Sequence, residues 1–485
     1  MLGRPVQGAK ATQCRQLLPL GIPEPSTTHA LTPFFYQSNM KSTSPFISVL
    51  LAACVFSLSS CGRKNAVSEV SVSQSGVEIR DNVDHSVSEG DWASWRGLTG
   101  DGIATGQDPP IHWDDATNVL WRTDVPGRGH GSPIVVGGSI YLATADDEAQ
   151  EQRVLCFGEQ DGTQHWSTII HQGNFPSDRE NHKKSTNANG TIACDGSRLF
   201  IGMLNSNAIL ATALDLDGKI LWQKEVGKFV SKFGYAPSPV LYKSLVIFAA
   251  ENSGGGYITA VDAATGKVAW RISRGNANSY STPLVRTMDG RDQLIISGCG
   301  AVTSYDPASG TELWRTECIA EATCGTAVTA ADRIFASGGY PDQETVCLSG
   351  AGKLLWSNET KFYEPSMVVS GDSLVGVNDS GVAFCWTAES GELQWRKRLG
   401  GSFSASPVVC GDRIYVSNLS GQTFVFQAGE KYKQIAKNKL GDDCYASPAV
   451  ANDRLYLRIG VRRDRDRQEQ LVCIGASEPE EQTNP

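Results

Sequence analysis

The sequence predicts an all-β protein, an eight-bladed β-propeller with four-stranded antiparallel blades. Three observations lead to this prediction. Six tryptophans recur along most of the chain, and each of them follows a glycine by four positions. The segments between them alternate apolar and polar residues with the period of two that is typical of strands. The repeat is roughly 40–50 residues long, which is typical of radial repetition with about four strands per blade.

The clearest copy of the repeat is Ala260-Val-Asp-Ala-Ala-Thr-Gly-Lys-Val-Ala-Trp270, which is predicted to be a hairpin. The residues before Asp262 alternate as in a strand, and the Asp262 carboxylate can accept backbone N–H groups in the turn. Gly266 supplies a position where a positive φ has no steric cost. A lone hairpin leaves its apolar face exposed, so copies of it have to stack against one another.

Eight units can be counted, each opening with a shorter hairpin that often starts with Ser-Pro or Thr-Pro. The units begin near Ser132, Gly190, Ser238, Thr282, Thr326, Ser366, Ser406 and Ser447. The seventh unit lacks its tryptophan, and Ile435 is predicted to occupy that place. Four strands per unit, named a to d from the channel outward, account for the length of each unit.

The two ends of the repeat region complete each other. Residues 118–126, which include Trp121, have the pattern of a fourth strand without the three that should precede it. After Tyr445 the sequence supplies three strands and no fourth. We therefore expect the N-terminal strand to close the last blade, which removes the free edges of an open ring.

The repeated tryptophans are predicted to be structural. A buried tryptophan hides about 150–250 Å² of surface, and truncating one to alanine costs about 3–5 kcal/mol. Residues that contribute this much at equivalent positions are docking residues between blades rather than a cofactor platform. The predicted docking tryptophans are Trp121, Trp166, Trp222, Trp270, Trp314, Trp356 and Trp395.

The motif A-x-D-x-x-T-G-K-x-x-W at Ala260–Trp270 resembles the tryptophan-docking motif of quinoprotein (PQQ-type) β-propellers. It is matched fully once and in degraded form by five other units. The opening Trp92-Ala-Ser-Trp-Arg-Gly-Leu-Thr-Gly-Asp-Gly102 resembles the start of bacterial PQQ-like propeller proteins. The resemblance implies that residues 91–476 form the propeller. It also implies two alternatives for function: BamB-type lipoproteins of the outer membrane, and dehydrogenases that use PQQ and Ca²⁺.

The segment before the propeller has the features of a lipoprotein leader. Residues 1–39 are not expected to belong to the mature protein, and Met40 is the expected start. Residues 40–60 are predicted to be a signal peptide, because a basic residue precedes an apolar run too short to span a bilayer. Leu58-Ser-Ser-Cys61 resembles a lipobox, which implies lipidation of Cys61, with Cys54 as the weaker alternative. Residues 61–90 are predicted to be a flexible tether, and residues 477–485 an acidic tail.

The net charge argues against one class of partner, and the positions of the cysteines and histidines indicate their roles in the fold. The net charge of −9 argues against a nucleic-acid partner. Cys156, Cys347, Cys385 and Cys473 share the register of Ala260 on strand c, so they lie in different blades and are predicted to be small buried residues. A disulfide between Cys318 and Cys324 remains one alternative. No metal site is predicted, because His171 and His182 have no third ligand spaced with them.

The candidate binding site is one mouth of the central channel. The connections from strand d to the next strand a are longest after Trp166 and Trp222, and large or polar residues precede several strands a. If strand a lines the channel, these residues form an aromatic and basic site for a peptide or a small ligand. The predicted site residues are Arg128, His130, His182, Lys183, Lys184, Lys232, Tyr235, Tyr280, Tyr363 and Tyr445.

Three functions remain open, and no catalytic residue is assigned. The preferred one is a non-catalytic, lipid-anchored scaffold of the cell envelope, similar to BamB-type proteins, that faces the periplasm from the outer membrane. It would bind envelope proteins or peptides as a monomer within a larger assembly, without a cofactor. The alternatives are a periplasmic binder of a small ligand or glycan, and a PQQ- and Ca²⁺-dependent dehydrogenase. Against the dehydrogenase, the sequence lacks the adjacent cysteine pair of quinoprotein alcohol dehydrogenases, and their Glu, Asn and Asp set cannot be assigned.

Overall fold

A computed structural model describes residues 73–81, 87–464 and 466–476. The predicted signal peptide, Cys61 and the acidic tail lie outside these residues. All regular secondary structure in the described ranges is β-strand. No helix in these ranges is long and apolar enough to cross a membrane.

The strands form eight antiparallel blades, which confirms the predicted fold class. The blades follow one another along the chain from blade 1 onward. Blade 1 contains Ile134–Val136, Ser139–Asp146, Glu151–Gly158 and Gln164–Gln172; blade 2 contains Ala193–Cys194, Arg198–Asn205, Ala208–Asp215 and Ile220–Lys228; blade 3 contains Val240–Tyr242, Leu245–Ala250, Gly256–Asp262 and Val268–Gly275; and blade 4 contains Leu284–Met288, Arg291–Gly298, Ala301–Tyr305 and Glu312–Glu317.

The remaining four blades repeat this order, and two short strands, Ser73–Gln74 and Ile103–Ala104, add to blades 3 and 7. Blade 5 contains Val328–Ala330, Arg333–Gly338, Glu344–Ser349 and Leu354–Asn358; blade 6 contains Val368–Ser370, Ser373–Val377, Val382–Thr387 and Leu393–Arg398; blade 7 contains Val408–Cys410, Arg413–Ser417, Gln422–Gln427 and Lys433–Lys439; and blade 8 contains Ala449–Ala451, Arg454–Arg463, Asp466–Ile474 and Val119–Val125.

The N-terminal strand closes the ring as predicted. Val119–Val125 pairs antiparallel with Asp466–Ile474, and Trp121 lies opposite Cys473. Buried ionic groups also cross this seam. Arg458 and Glu469 of blade 8 are paired at 2.6 Å, and Arg458 donates to the Ala143 carbonyl of blade 1. Strand pairing therefore completes the last blade with the N-terminal strand, and side chains hold that blade to the first one.

Each predicted docking tryptophan packs on the strand c–d turn of the following blade. Trp270 donates its indole N–H to the Pro307 carbonyl of blade 4 at 3.1 Å. A Cβ added to Gly310 of the same turn would lie 2.8 Å from the Trp270 ring. The glycine that lies four positions before a docking tryptophan thus packs against the tryptophan of the preceding blade. Close approach of the indole is one reason for glycine, and the positive φ of 74° at Gly310 is the other.

Blade 7 corrects the prediction for Ile435. In the other blades the tryptophan lies opposite a strand c residue just before a bulge, and in blade 7 that partner is Ala436, opposite Val425. The missing indole comes from Trp113, which precedes the closing strand and is 4% exposed. Trp113 stacks on Tyr415 of blade 7 with ring centroids 6.4 Å apart. Alanine at position 436 leaves the space that a tryptophan from another part of the chain fills.

Part of the predicted flexible tether lies against the propeller. Ser73–Gln74 pairs antiparallel with the outer strand of blade 3, and Val77 and Ile79 pack against the blade 3 core. Lys243 of blade 3 forms an ion pair with Asp81 at 2.9 Å. Alternate apolar residues and a charge pair thus attach residues 73–81 to the blade.

The cysteines of strand c lie in the register that was predicted. Cys156, Cys347, Cys385 and Cys473 each lie opposite the docking tryptophan of their own blade. All four are buried and free. Cys318 and Cys324 also carry free thiols, so the disulfide alternative is not realised in this structure.

Candidate functional site

A belt of hydroxyl groups surrounds the channel where the strands a begin. The backbone N–H of Ser238 donates to the Thr282 hydroxyl at 3.0 Å, and Ser406 donates in the same way to the Ser447 hydroxyl at 2.8 Å. The same contact joins blades 1 to 2, 2 to 3, 5 to 6 and 6 to 7. The serine and threonine residues at the starts of the repeat units therefore tie neighbouring blades together around the axis.

Residues 91–104 cross the channel below this belt and close it. The Trp95 indole donates to the Thr326 hydroxyl of blade 5 at 2.9 Å, and Arg96 donates to the Met367 carbonyl of blade 6 at 2.7 Å. Ile103 pairs in parallel with Val409 of blade 7. Trp95 borders two cavities, one of about 560 Å³ and one of about 320 Å³. It therefore separates the two ends of the channel.

The larger cavity, called here the chamber, lies on the side of the connections between strands d and a. It has Trp95 at its floor, hydroxyls of the belt on its walls and aromatic rings around its mouth. Phe233 and Tyr340 at the rim are 41% and 65% exposed. Its volume lies within the range of about 300–1,000 Å³ that is typical of small-molecule sites.

A strap, residues 173–189, extends across the chamber mouth. Lys184 of the strap contacts Glu364 at 2.8 Å. Glu364 lies in the connection between blades 5 and 6, diametrically opposite the junction of blades 1 and 2. Glu364 also accepts a hydrogen bond from the Ser404 hydroxyl. Lys184 thus fastens the strap to the opposite side of the ring.

The second long connection, residues 229–239, supports the strap. The Ser231 hydroxyl and the Gly234 N–H both donate to the Glu180 carbonyl of the strap, at 2.6 and 3.0 Å. The Asn189 side chain donates to the Tyr235 carbonyl at 3.0 Å. His182 of the strap meets the Phe233 ring edge-on, with centroids 5.7 Å apart. The two longest connections therefore form one cover over the side of the mouth near blades 1 to 3.

Eight of the ten predicted site residues come together around the chamber, and two do not. Those that line it are His130, His182, Lys184, Lys232, Tyr235, Tyr280, Tyr363 and Tyr445. Lys183 is exposed on the strap and does not line the chamber. Arg128 is also outside the lining, because its backbone pairs with Ala145 of blade 1 and turns it toward the seam with blade 8.

Tyr235 differs from the other aromatic residues of the site. It is 5% exposed, and its hydroxyl donates to the Ala249 carbonyl inside blade 3 at 3.0 Å. Its ring meets Phe229 edge-on. Tyr235 therefore presents only part of its ring to the chamber, and its polar group is used within the fold.

His130 is a partly buried, uncharged histidine. Its ring stacks on Tyr445 with centroids 4.2 Å apart. Burial lowers the pKa of His130 well below its ordinary value, and the charges of Arg128, Arg458 and Arg467 lower it further. The imidazole is therefore neutral at pH 7 and adds no positive charge to the chamber.

Sequence reasoning missed the floor and part of the rim. Trp95, Cys324 and Tyr340 line the chamber but were not predicted as site residues. Trp95 belongs to the opening motif, whose course through the channel no local pattern indicates. The hydroxyl belt had a visible signal, since the Ser-Pro and Thr-Pro starts recur in five units.

The chamber does not fit a bound calcium ion. Its two carboxylates are Glu321, which is exposed, and Glu364, which is held by Lys184 and Ser404. Glu251 is buried at the junction of blades 3 and 4, where it pairs with Arg274. No group of three or more His, Cys, Asp or Glu side chains that could hold a metal occurs among the described residues. Calcium prefers six to eight oxygen ligands, and this lining does not offer them.

Comparison with known proteins gives a consistent family match. A family profile described as outer membrane protein assembly factor BamB matches residues 94–168, 150–380 and 341–440, together more than half of the chain. Among solved structures, BamB from Moraxella catarrhalis is similar with a TM-score of 0.54 and 16% identity, covering 74% of this chain and 98% of that chain. A quinohemoprotein alcohol dehydrogenase from Comamonas testosteroni is similar with a TM-score of 0.60 and 11% identity, covering 82% of each chain.

Two curated proteins show partial similarity. Quinohemoprotein alcohol dehydrogenase ADH IIB of Pseudomonas putida is 26% identical over 223 residues, 41% of this chain and 30% of that protein. Subunit 1 of the cytochrome c methanol dehydrogenase of Paracoccus denitrificans is 28% identical over 142 residues, 26% of this chain and 22% of that protein. The matches thus span less than a third of the length of these enzymes. At these identities the structural similarities show the fold alone.

Proposed function

The chain belongs to the family of outer membrane protein assembly factor BamB, and from this we propose that it is a non-catalytic, lipid-anchored propeller of the cell envelope that binds other proteins. The observation that carries the proposal is the chamber rim, where Phe233 and Tyr340 are exposed beside a covered cavity. Aromatic residues are enriched at protein interfaces relative to the rest of a protein surface. The partners are envelope proteins or peptides that meet this rim.

Site-specific crosslinking tests the protein-binding proposal. A photoreactive phenylalanine at position 233 or 340 of the full chain, expressed in its own bacterium, is expected to crosslink to an outer-membrane β-barrel protein or to a subunit of its assembly machinery. The matched control is position 393, because Leu393 is 49% exposed on the outer strand of blade 6. Equal crosslinking from all three positions, or none from the rim, would count against the proposal.

The anchor has a separate test. The proposed lipid site is Cys61, and the lipobox alternative is Cys54. Cys61→Ser is expected to abolish incorporation of labelled palmitate and to release the protein from the membrane fraction. Cys54→Ser is expected to leave both unchanged. The reverse pattern would move the anchor to Cys54, and absence of label from the unaltered protein would end the lipoprotein proposal.

A PQQ- and Ca²⁺-dependent dehydrogenase is the second candidate, favoured by the partial similarity to quinohemoprotein alcohol dehydrogenases. The lining of the chamber weighs against it, because the Glu364 carboxylate is already held by Lys184 and Ser404. Cofactor titration separates the two candidates and needs no knowledge of the partner.

A further inference from the structure

We propose that the chamber is a binding site for an uncharged saccharide, distinct from the protein-binding rim. The proposal rests on three properties of the lining: hydroxyl donors on the walls, aromatic faces around them, and charges that neutralise one another. It does not depend on the proposed protein scaffold, since the chamber lies inside the rim.

The hydroxyl belt leaves hydrogen-bond donors at the chamber wall. Ser238, Thr282 and Ser447 line the chamber, and each hydroxyl oxygen accepts a backbone N–H from the same or a neighbouring part of the ring. No protein acceptor is found for the proton of any of these three hydroxyls in the described part of the chain. A hydroxyl both donates and accepts, so each can still donate one hydrogen bond to a ligand oxygen.

Aromatic rings surround these donors. Trp95 forms the floor, and Tyr280, Tyr363 and Tyr445 belong to the wall. His130 supports Tyr445 by stacking on it at 4.2 Å. A sugar ring presents a face of C–H groups that packs on an aromatic face and an edge of oxygens that accept hydrogen bonds. This combination matches a wall that carries both aromatic rings and hydroxyls.

The charge of the chamber favours a neutral ligand. Lys184 is paired with Glu364 at 2.8 Å, so this pair adds no net charge to the chamber. Lys232 and Glu321 are exposed and carry opposite charges. His130 is neutral for the reasons given above. An anionic ligand would thus find no unpaired cation among the buried groups of the lining.

The donors also distinguish a saccharide from an apolar side chain of a peptide. An inserted phenylalanine ring would displace water from the three hydroxyls without supplying acceptors. Leaving a buried polar group without a partner costs about 1–3 kcal/mol. A saccharide supplies acceptors at the same depth, so the hydroxyl belt selects for it.

Cys324 provides a local reporter, because its thiol lines the chamber while Cys318 does not. The full chain would be alkylated with N-ethylmaleimide, and the modified fraction of each cysteine followed by mass spectrometry. The probes are glucose, galactose, mannose, N-acetylglucosamine, maltotriose and chitotriose, with glucuronic acid as the charged comparison and an uncharged phenylalanine-containing hexapeptide as the peptide comparison. We expect at least one neutral saccharide to protect Cys324 saturably, with Cys318 unchanged and glucuronic acid weaker.

Variants of Tyr445 check that the protection comes from the chamber. Tyr445→Ala is expected to weaken protection about tenfold, because the aromatic face is lost, whereas Tyr445→Phe keeps the face and the affinity. Leu393→Ala on the outer strand of blade 6 is the matched control and should bind as the unaltered protein does. The proposal is overturned if no neutral saccharide protects Cys324, or if only the phenylalanine peptide does.

Discussion

Lys184 and Glu364 meet at 2.8 Å across the chamber mouth, although 180 residues separate them in the chain. The pair joins the strap between blades 1 and 2 to the opposite junction between blades 5 and 6. Its side chains are 35% and 26% exposed. A pair in this environment contributes up to about 1 kcal/mol to holding the strap in place.

Removing the Lys184 charge is expected to open the strap more often. Lys184→Ala should raise the rate at which N-ethylmaleimide modifies Cys324 by up to about fivefold, the equivalent of about 1 kcal/mol. Burial raises the pKa of the Cys324 thiol, so the unaltered protein reacts slowly and the change is measurable. Arg179→Ala, which removes an exposed charge from the same strap, is the control. Equal rates for the two variants would show that the ion pair does not hold the strap.

Loss of a docking tryptophan should destabilise the ring. Loss of Trp113 should destabilise it to the same degree, because Trp113 takes the place of the docking tryptophan that blade 7 lacks. Trp270→Ala and Trp113→Ala are each expected to lower the free energy of unfolding by about 3–5 kcal/mol, because the side chains are 1% and 4% exposed. Leu393→Ala, at a 49% exposed site, should stay within about 0.5 kcal/mol. Urea unfolding followed by circular dichroism measures all three. A small effect of Trp113→Ala would show that blade 7 does not need its substitute indole.

Trp270 and Trp113 also show which contacts a sequence pattern can predict and which it cannot. Spacing revealed Trp270 and Gly310 as repeat positions, because local turn geometry and strand periodicity recur in every unit. It did not show that each glycine packs on the tryptophan of the preceding blade, since that contact exists only in the closed ring. Trp113 fills the gap beside Ala436 from outside any repeat, so no periodicity pointed to it. The same holds for the contact between Lys184 and Glu364, where loop length predicted the site but not the partner.

The buried ion pair at the ring seam should contribute more to the stability of the fold than the exposed ion pair of the same blade. Glu469→Gln leaves the buried Arg458 without its countercharge, and breaking such a pair typically costs about 3–5 kcal/mol. Arg463→Ala removes the pair with Asp124 of the closing strand Val119–Val125 in the same blade, where the side chains are 54% and 47% exposed. That loss should cost less than about 1 kcal/mol. Thermal unfolding of both variants tests the ranking, and equal losses would contradict it.

The lowered pKa of His130 predicts that the folded protein loses stability in acid. Its pKa in the folded protein is far below the value near 6.5 of an unfolded histidine. Below about pH 6.5 the unfolded chain therefore binds a proton that the folded chain does not, and folding stability falls. His171, whose pKa burial lowers to about 4, acts in the same direction. The melting temperature of His130→Gln should thus fall less steeply from pH 7 to pH 5 than that of the unaltered protein.

The control for this pH experiment is His112→Gln, because His112 is exposed before the closing strand. Its melting temperature should follow the unaltered protein at every pH. If His130→Gln also keeps the full slope, His130 is protonated in the folded state and the account of a neutral chamber is wrong.

The central claim is that this propeller works by binding other molecules and not by oxidising alcohols. The most direct test adds PQQ, with and without Ca²⁺, to the purified full chain in detergent and follows tryptophan fluorescence together with dye reduction by ethanol. We predict no saturable change in fluorescence and no dye reduction above the protein-free rate. Saturable PQQ binding with Ca²⁺-dependent dye reduction would contradict the claim and make the chamber an active site.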